Sequence, residues 1–383
     1  MRKIAMSLVL ATGLLAFGAV AAQAKPATTL YVSPSGTHGA ADTSCRTAGY
    51  SDINAAITAA SSGGTVVVCK GTYDTYVIVS KPLTLTGKSG AVIDAKGQPA
   101  LTVGTMKLSG SIGIGVLSTE NVRVSGFKVV NAGFDAILVA LSSHVVLSRN
   151  VLEHNGDVGV DINGSSWSQA IHNTSEHNTG GGFLIADDFG PNSHNEVSFN
   201  VASHNPGGCG VIVAGHSTFG VTDNLVAYNL LTNNGTLKSS GGGAGVAIAT
   251  EVPGETVADN TVTDNTISGN GNAGVTIHAH LPGQNLNGNR IIGNWIAANN
   301  TLGDAIDLAT SPTSKKNVAV PDTRTTGILV GSASQISVLI SGNHISHVHY
   351  GIFLEGVGKV VHASLRSNHF SRVSVHVKRV VVS

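Results

Sequence analysis

Between residues 144 and 300 the chain sets asparagines five apart and follows each set with a short apolar run. The sets are Asn195, Asn200, Asn205; Asn224, Asn229, Asn234; Asn260, Asn265, Asn270; and Asn289, Asn294, Asn299. Shorter copies stand at Asn150/Asn155 and Asn173/Asn178, with degenerate ones at Gly126/Asn131 and near Asn343 and Asn368. Taken at the central position, successive copies lie 24, 23, 27, 29, 36, 29, 49 and 25 residues apart. Such spacing is that of a solenoid whose coils take loop insertions on one edge. The gap of 49 is long enough for two coils.

Each copy ends in glycine and an alternating apolar stretch, as in Gly159-Val160-Asp161-Ile162, Gly182-Phe183-Leu184-Ile185, Gly210-Val211-Ile212-Val213, Gly245-Val246-Ala247-Ile248 and Gly274-Val275-Thr276-Ile277. These stretches are too short for amphipathic helices and rich in β-branched residues, so they are strands, several to a coil. About three such strands bring the chain back to its start roughly 4.8 Å higher. Equivalent residues then stack. In a turn, asparagine tolerates awkward dihedrals and bonds to the amides above and below, satisfying polar groups that would otherwise be buried unpaired. The pattern predicts an all-β chain, a right-handed parallel β-helix. Because an open stack exposes two strand edges, the helical spacing of residues 51–60 is read as an amino-terminal cap. Residues 373–382 alternate apolar with charged positions, as a last strand or as an edge that docks a partner.

Composition narrows the class. With 42% apolar and 11% charged residues, the chain lacks the signature of disorder. Its 22 basic and 22 acidic side chains cancel and supply no phosphate-neutralising patch, so nucleic acid is not an expected partner. Residues 1–24 read as a secretory signal peptide: Arg2 and Lys3, an apolar run over 8–20, then Ala22-Gln23-Ala24, with cleavage before Lys25. No later stretch approaches the roughly 20 apolar residues of a membrane span. The chain is expected to be secreted, periplasmic or at the cell surface, and to be a monomer. Residues 25–110 form the cap and first coils, and 111–383 continue the same domain as the repeats. Export permits disulfides. Cys45 and Cys69 are expected to pair, closing a loop of about 25 residues and contributing on the order of 3 kcal/mol; Cys209 reads as a small buried hydrophobe.

The motif Asn-x-Ile/Val-x-x-Asn-x-x-x-Gly-Val-x-Ile resembles the repeats of the pectate-lyase-like superfamily, particularly exported proteins of the carbohydrate-binding and sugar-hydrolase repeat group. Tyr31-Val32-Ser33-Pro34-Ser35-Gly36, Ile53-Asn54-Ala55-Ala56, Gly71-Thr72-Tyr73, residues 81–87 and Ile93-Asp94-Ala95 resemble that group's opening coils. The resemblance implies fold far more than activity, because such folds host lyases, hydrolases, epimerases and adhesins. It implies a polysaccharide partner laid across one face of the solenoid.

Aligned on the strand glycines, four consecutive coils place Asp188, His216, Glu251 and His280 six residues on, with Asp187 and His278 close by. Acid alternating with imidazole suits general acid–base work on a sugar. Asp187-Asp188 and Gly215-His216 also resemble elements of polygalacturonase-like hydrolases; Asp161 stands only loosely for their first acid, and Arg290 replaces an expected lysine. Polar decoration of solvent-facing turns would give the same column. Trp167, Phe189 and Phe219 follow Asp161, Asp188 and His216 and are candidate sugar-stacking rings; loops folding their own hydrophobes back give the same spacing. His154, His177 and His204 stack beside Glu153 and Glu176, and His344, His347 and His349 cluster; adjacent imidazoles can hold a zinc or copper ion, but a solvated ladder is the more common outcome of such spacing. Calcium is the one cofactor with a foothold, at Asp187-Asp188 and Asp304/Asp307. Phosphate-loop, zinc-peptidase and serine-elbow motifs are absent. The sequence thus reads as an exported glycan-binding β-helix with lyase, hydrolase or epimerase chemistry, or as a non-catalytic surface protein using the solenoid as a spacer.

Overall fold

A computed structural model describes residues 28–37, 43–309, 317–322, 324–358 and 361–382. The leader at 1–24 lies outside them.

The chain winds into three ladders of parallel strands. The first runs through twelve strands from Thr29–Val32 to Val361–Arg366. The second starts at Gly71–Asp74 and passes through Val151–Glu153, Val201–Ser203 and Trp295–Ala297. The third starts at Val77–Val79 and passes through Ile137–Ala140, Val158–Asn163, Gly181–Ala186, Val211–Gly215 and Val275–Ala279. Strands His344–Val357 and His369–Val382 run through both of these and join them. All-β right-handed winding is therefore the architecture.

Alternation decides what lies inside. One row of the third ladder, Val116, Val139, Ile162, Ile185, Val213, Ile248, Ile277, Val330 and Leu354, is almost wholly buried and stacks coil on coil. Glycines that open strands of this ladder sit against the core. A Cβ on Gly245 would meet Ile267 Cγ2 at 2.2 Å, and one on Gly274 would meet Ile296 Cγ2 at 2.5 Å.

Asparagines form three hydrogen-bonded columns. The longest is Asn150, Asn173, Asn200, Asn229, Asn265, Asn294, Asn343 and Asn368. In each step the backbone N–H and side-chain amide of one residue both donate to the next residue's Oδ1. Asn200, for example, reaches Asn229 at 2.9 and 3.1 Å. The awkward dihedral falls elsewhere than expected: the residue before each asparagine, such as His172 (φ 56°), Phe199 (56°) or Tyr228 (56°), takes the left-handed turn. That turn costs a non-glycine residue roughly 1–2 kcal/mol, and the asparagine's bonds hold it in place. The degenerate copy also shifts by one residue, since Ala132, not Asn131, donates to Asn155.

Two further features concern the coils. Asn294 bonds directly to Asn343, so the gap of 49 is one coil, interrupted by an antiparallel hairpin of Asp304–Ala309 and Asn317–Asp322. His154, His177 and His204 stack face to face at 5.3 and 5.6 Å and do not converge on a point.

At the amino end, helix α1, Ile53–Ala59, is capped by Asp52, whose carboxylate accepts the Ala55 N–H at 2.9 Å. It buries Ile53, Ala56 and Ile57 over the first coil, and Cys45 and Cys69 form the disulfide. At the carboxyl end, His369–Val382 is a last parallel strand. No helix among the described residues is long and apolar enough to cross a membrane.

Asn229 is 1% exposed and also donates to Asn265 and to the Val197 carbonyl. Replacing it with Ala strands several buried groups, so Asn229→Ala should lower stability by on the order of 3 kcal/mol in urea denaturation. A loss below about 0.5 kcal/mol would contradict the role of the ladder.

Candidate functional site

The outer face of the third ladder carries the site. Asp161 points outward because Val160 and Ile162 point into the core, yet it is only 3% exposed. Its in-register neighbours are Leu138 below and Leu184 above. An antiparallel hairpin, Thr102–Val103 with Met106–Lys107, extends this apolar cover: Val103 and Leu108 pack with Ile112, Leu138 and Ala140. Burial pushes the Asp161 carboxyl up to about 8, helped by the charges of Asp188 and Asp157 and opposed by the Asn163 amide.

One amide ties two carboxyl groups together. Asn163 Nδ2 donates to Asp161 Oδ2 at 3.2 Å and to Asp188 Oδ2 at 2.7 Å. Asp188 in turn accepts from His216 Nδ1 at 3.0 Å, and these two side chains are 25% and 29% exposed. Burial alone would raise the Asp188 carboxyl, but the bonds from His216 and Asn163 outweigh it and hold it below the usual carboxylate range. The same bond lifts His216 to about 9, against burial and with help from Asp188, Glu251 and Asp161. A protonated acid on the floor, an ionised carboxylate at the rim and a cationic imidazole thus share one amide-centred cluster.

Two members lie before the strands, where the sequence search did not look. Asp135 is fully buried and accepts the Val158 N–H at 3.4 Å; burial, then the charges of Asp161 and Asp157, raise it well above the ordinary range. Asp157 is raised by burial too, with His216 opposing. It lies over Gly180, where a Cβ would fall 1.8 Å from its Oδ1. Searching for acids ahead of each strand glycine, as well as beyond it, finds both.

The remaining predicted residues separate. Register carries the column on through His216, Glu251 and His280, but His280 turns edge-on to His278 at 5.5 Å, and His278 Nε2 sits 3.6 Å from Asp304. Asp187 is fully buried and accepts from the His216, Ser217 and Gly220 N–H groups and the Ser217 hydroxyl. It therefore shapes the 216–220 loop and offers no oxygen to a substrate or to calcium. Glu255, missed in the sequence, does the same one coil on: it is fully buried, accepts the Glu251 and Val252 N–H groups, and is raised by burial to about 6.

The rings do not form one wall. Trp167 sits on the turn leading to the first ladder, stacked on His194 at 4.2 Å beside Arg123 and His144. Phe189 packs onto the apolar cluster under the hairpin. Phe219 is 59% exposed, on the loop that Asp187 shapes. The Asp307 side chain lies outside the described residues. Among those described, no group of three or more His, Cys, Asp or Glu is arranged to hold a metal. Cys209, expected to be buried, is only half-buried as a residue; its thiol accepts the Ala244 N–H, and burial pushes it up to about 11.

Residues 65–234 match the family model described as the right handed beta helix region. The chain has the right-handed parallel β-helix fold, and the family match covers its central coils. Its fold is similar to the A-module of mannuronan C-5 epimerase AlgE4 from Azotobacter vinelandii, at 16% identity over 84% of this chain and 91% of that one, TM-score 0.55. It is also similar to the lidless DFA-IIIase of Arthrobacter chlorophenolicus A6, at 14% identity over 82% and 80%, TM-score 0.55. A third is PfbA, a surface adhesin of Streptococcus pneumoniae, at 12% identity over 85% and 86%, TM-score 0.53. At these identities the likeness is one of fold. No curated protein sequence matches the chain.

The site predicts opposite effects on stability for its two acids. An acid raised to about 8 penalises folding from the pH where the unfolded chain ionises, near 4, up to about 8. Asp161→Asn should therefore stabilise the protein by an amount that grows between pH 4 and 8 and then levels. Asp188, held low, contributes stability above pH 4 that is lost on acidification, so Asp188→Asn should destabilise at pH 7. Denaturant titrations at pH 4, 6 and 8 check both signs.

Proposed function

We propose that this chain is an exported protein that binds a glycan across the outer face of the third ladder and hydrolyses it by acid–base catalysis. The observation that carries this reading is the Asn163 bridge, which joins a carboxyl group kept protonated to one kept ionised. Two titratable groups whose surroundings push them apart are the mark of an acid and its partner. The two bridging distances keep the carboxyl oxygens within about 6 Å, near the roughly 5–5.5 Å of retaining glycosidases. In this reading Asp161 gives a proton to the leaving oxygen while the Asp188 carboxylate attacks the anomeric carbon, water activated by the deprotonated Asp161 then hydrolyses the glycosyl ester, and His216 orients Asp188. The Cys45–Cys69 bridge suits an oxidising compartment.

Charge favours an uncharged sugar at this position. Residues 131–280 hold 13 acidic and 2 basic side chains, Arg149 and Lys238. The cation of the cluster is His216, and Asp188 already engages it, so a uronate carboxylate would have to compete with Asp188 for neutralisation. One observation favours the non-catalytic alternative: Asp161 is almost buried, so a substrate reaches it only past Asp188 and His216.

The test is a screen of the purified protein against neutral and acidic glycans, reading reducing ends and 235 nm absorbance. Reducing ends from a neutral glycan are expected, with Asp161→Asn and Asp188→Asn each lowering kcat about 10²–10⁴-fold. Activity should fall as pH rises through about 8, where Asp161 ionises. Unsaturated product would replace hydrolysis with elimination. Silence from a folded protein across the panel would leave the spacer reading.

A further inference from the structure

The outer face of the second ladder carries a second feature, on later coils. The residue following the asparagine reads Val201, Leu230, Thr266, Trp295, His344 and His369 along successive coils. At the last three positions the rings stack. Trp295 lies on His344 with centroids 4.2 Å apart and planes 6° off parallel, and His344 lies on His369 at 4.9 Å and 17°. Trp295 is 60% exposed, so the stack offers its surface to solvent.

Two residues along each strand, Ser268, Ala297, Ser346 and Ser371 stay small. Between the rings and this small row runs a groove of about 480 Å³, parallel to the solenoid axis. Its lining holds hydroxyls and the imidazoles of His344, His347 and His369, with no Asp or Glu. Arg372 stands beside it, donating to His347 Nε2 at 2.7 Å. Asp264, on the corner before Thr266, lies outside the lining and accepts the Thr263 hydroxyl. The wider charge agrees in sign: among the described residues after 280, six are basic (Arg290, Arg324, Arg366, Arg372, Lys378 and Arg379) and four acidic, whereas residues 131–280 are predominantly acidic.

We propose that this groove is a second glycan-binding site, one that takes an acidic polysaccharide chain lying along the axis. Because the ring faces meet one another, the stack turns its ring edges to the groove, and these partly positive edges offer apolar contact and favourable electrostatics to consecutive residues of a linear acidic chain. Hydroxyls and imidazoles donate to its carboxylates or sulfates, and Arg372 supplies positive charge. An uncharged chain would gain the apolar contact alone. The central coils repel an acidic chain, so the two sites divide their ligands by charge. The groove does not depend on the acidic cluster being catalytic.

The sequence contains two tryptophans, Trp167 and Trp295, which makes the test direct. In Trp167→Phe protein, Trp295 is the sole indole reporter. Galacturonate hexamer or heparin-derived hexamer should change its emission saturably, and maltohexaose should bind at least tenfold more weakly. By calorimetry on otherwise unaltered protein, Trp295→Ala or His344→Ala should weaken the acidic hexamer tenfold or more. Arg372→Gln should weaken it severalfold and flatten its salt dependence. Asp188→Asn should leave this binding unchanged, even if the glycan screen shows no hydrolysis. The proposal is overturned if neither acidic hexamer gives a saturable change, if maltohexaose binds equally well, or if binding survives both ring substitutions but is lost in Asp188→Asn. Folding of each variant is checked by circular dichroism, and the exposure of Trp295 makes it the safest position to alter.

Discussion

From Asn150 to Asn368 the coils are registered by one repeated contact, the donation of a backbone N–H and a side-chain amide to the asparagine oxygen of the next coil. The bond matters because the corner is buried: Asn173, Asn200, Asn229 and Asn265 are at most 2% exposed. A turn there leaves backbone groups that water cannot reach, and an unpaired buried group costs about 1–3 kcal/mol. The asparagine answers that demand at each coil and fixes the neighbour's height. It also forces the preceding residue into a left-handed turn, whose side chain must point outward. The exposed stacks of His172 on Phe199 on Tyr228, and of Trp167 on His194, are therefore by-products of the buried columns beside them.

The same constraint frees the outer rows for chemistry. Along the third ladder the outward row reads Leu138, Asp161, Leu184, Ile212, Ala247 and Thr276, one residue per coil. A single aspartate in this mainly apolar row is desolvated by its neighbours above and below without altering the backbone. Its raised affinity for a proton follows directly. A lone perturbed acid would be a defect, but Asn163 links it to a carboxylate that His216 keeps ionised. Instability at neutral pH and a poised proton donor are two descriptions of one burial.

The repeat made the fold legible because stacking obliges equivalent residues to recur, and recurrence is visible without coordinates. The capping helix and the Cys45–Cys69 pair were legible for local reasons: an Asp52 cap before an apolar period, and two cysteines close in sequence. The site was legible only in part. Asp188 and His216 lie in one register, so alignment on the strand glycine brought them together. That alignment also suggested a role for Asp187, because it says nothing of which way a side chain turns; Asp187 turns inward to the N–H groups of the next loop. Trp167 and Phe189 were grouped by spacing after an acid, whereas one lies past a corner and the other under a hairpin. Loop lengths differ from coil to coil, and equal spacing stops meaning equal position once the chain leaves the strands.

Charge distribution along the axis completes the account. The 22 acidic and 22 basic side chains cancel overall, yet the middle coils are strongly acidic and the described later ones carry a small basic excess. In a compact globule such segments would lie close enough to neutralise one another. A solenoid keeps them apart, because each coil touches only its neighbours and each step adds about 4.8 Å. Charges separated by several coils exceed the roughly 8 Å screening length of physiological salt. The fold therefore preserves two electrostatic environments that the net charge conceals. An acid cluster that excludes anions and a ring-lined groove that lacks acids can coexist on one rigid chain only because nothing folds one back onto the other.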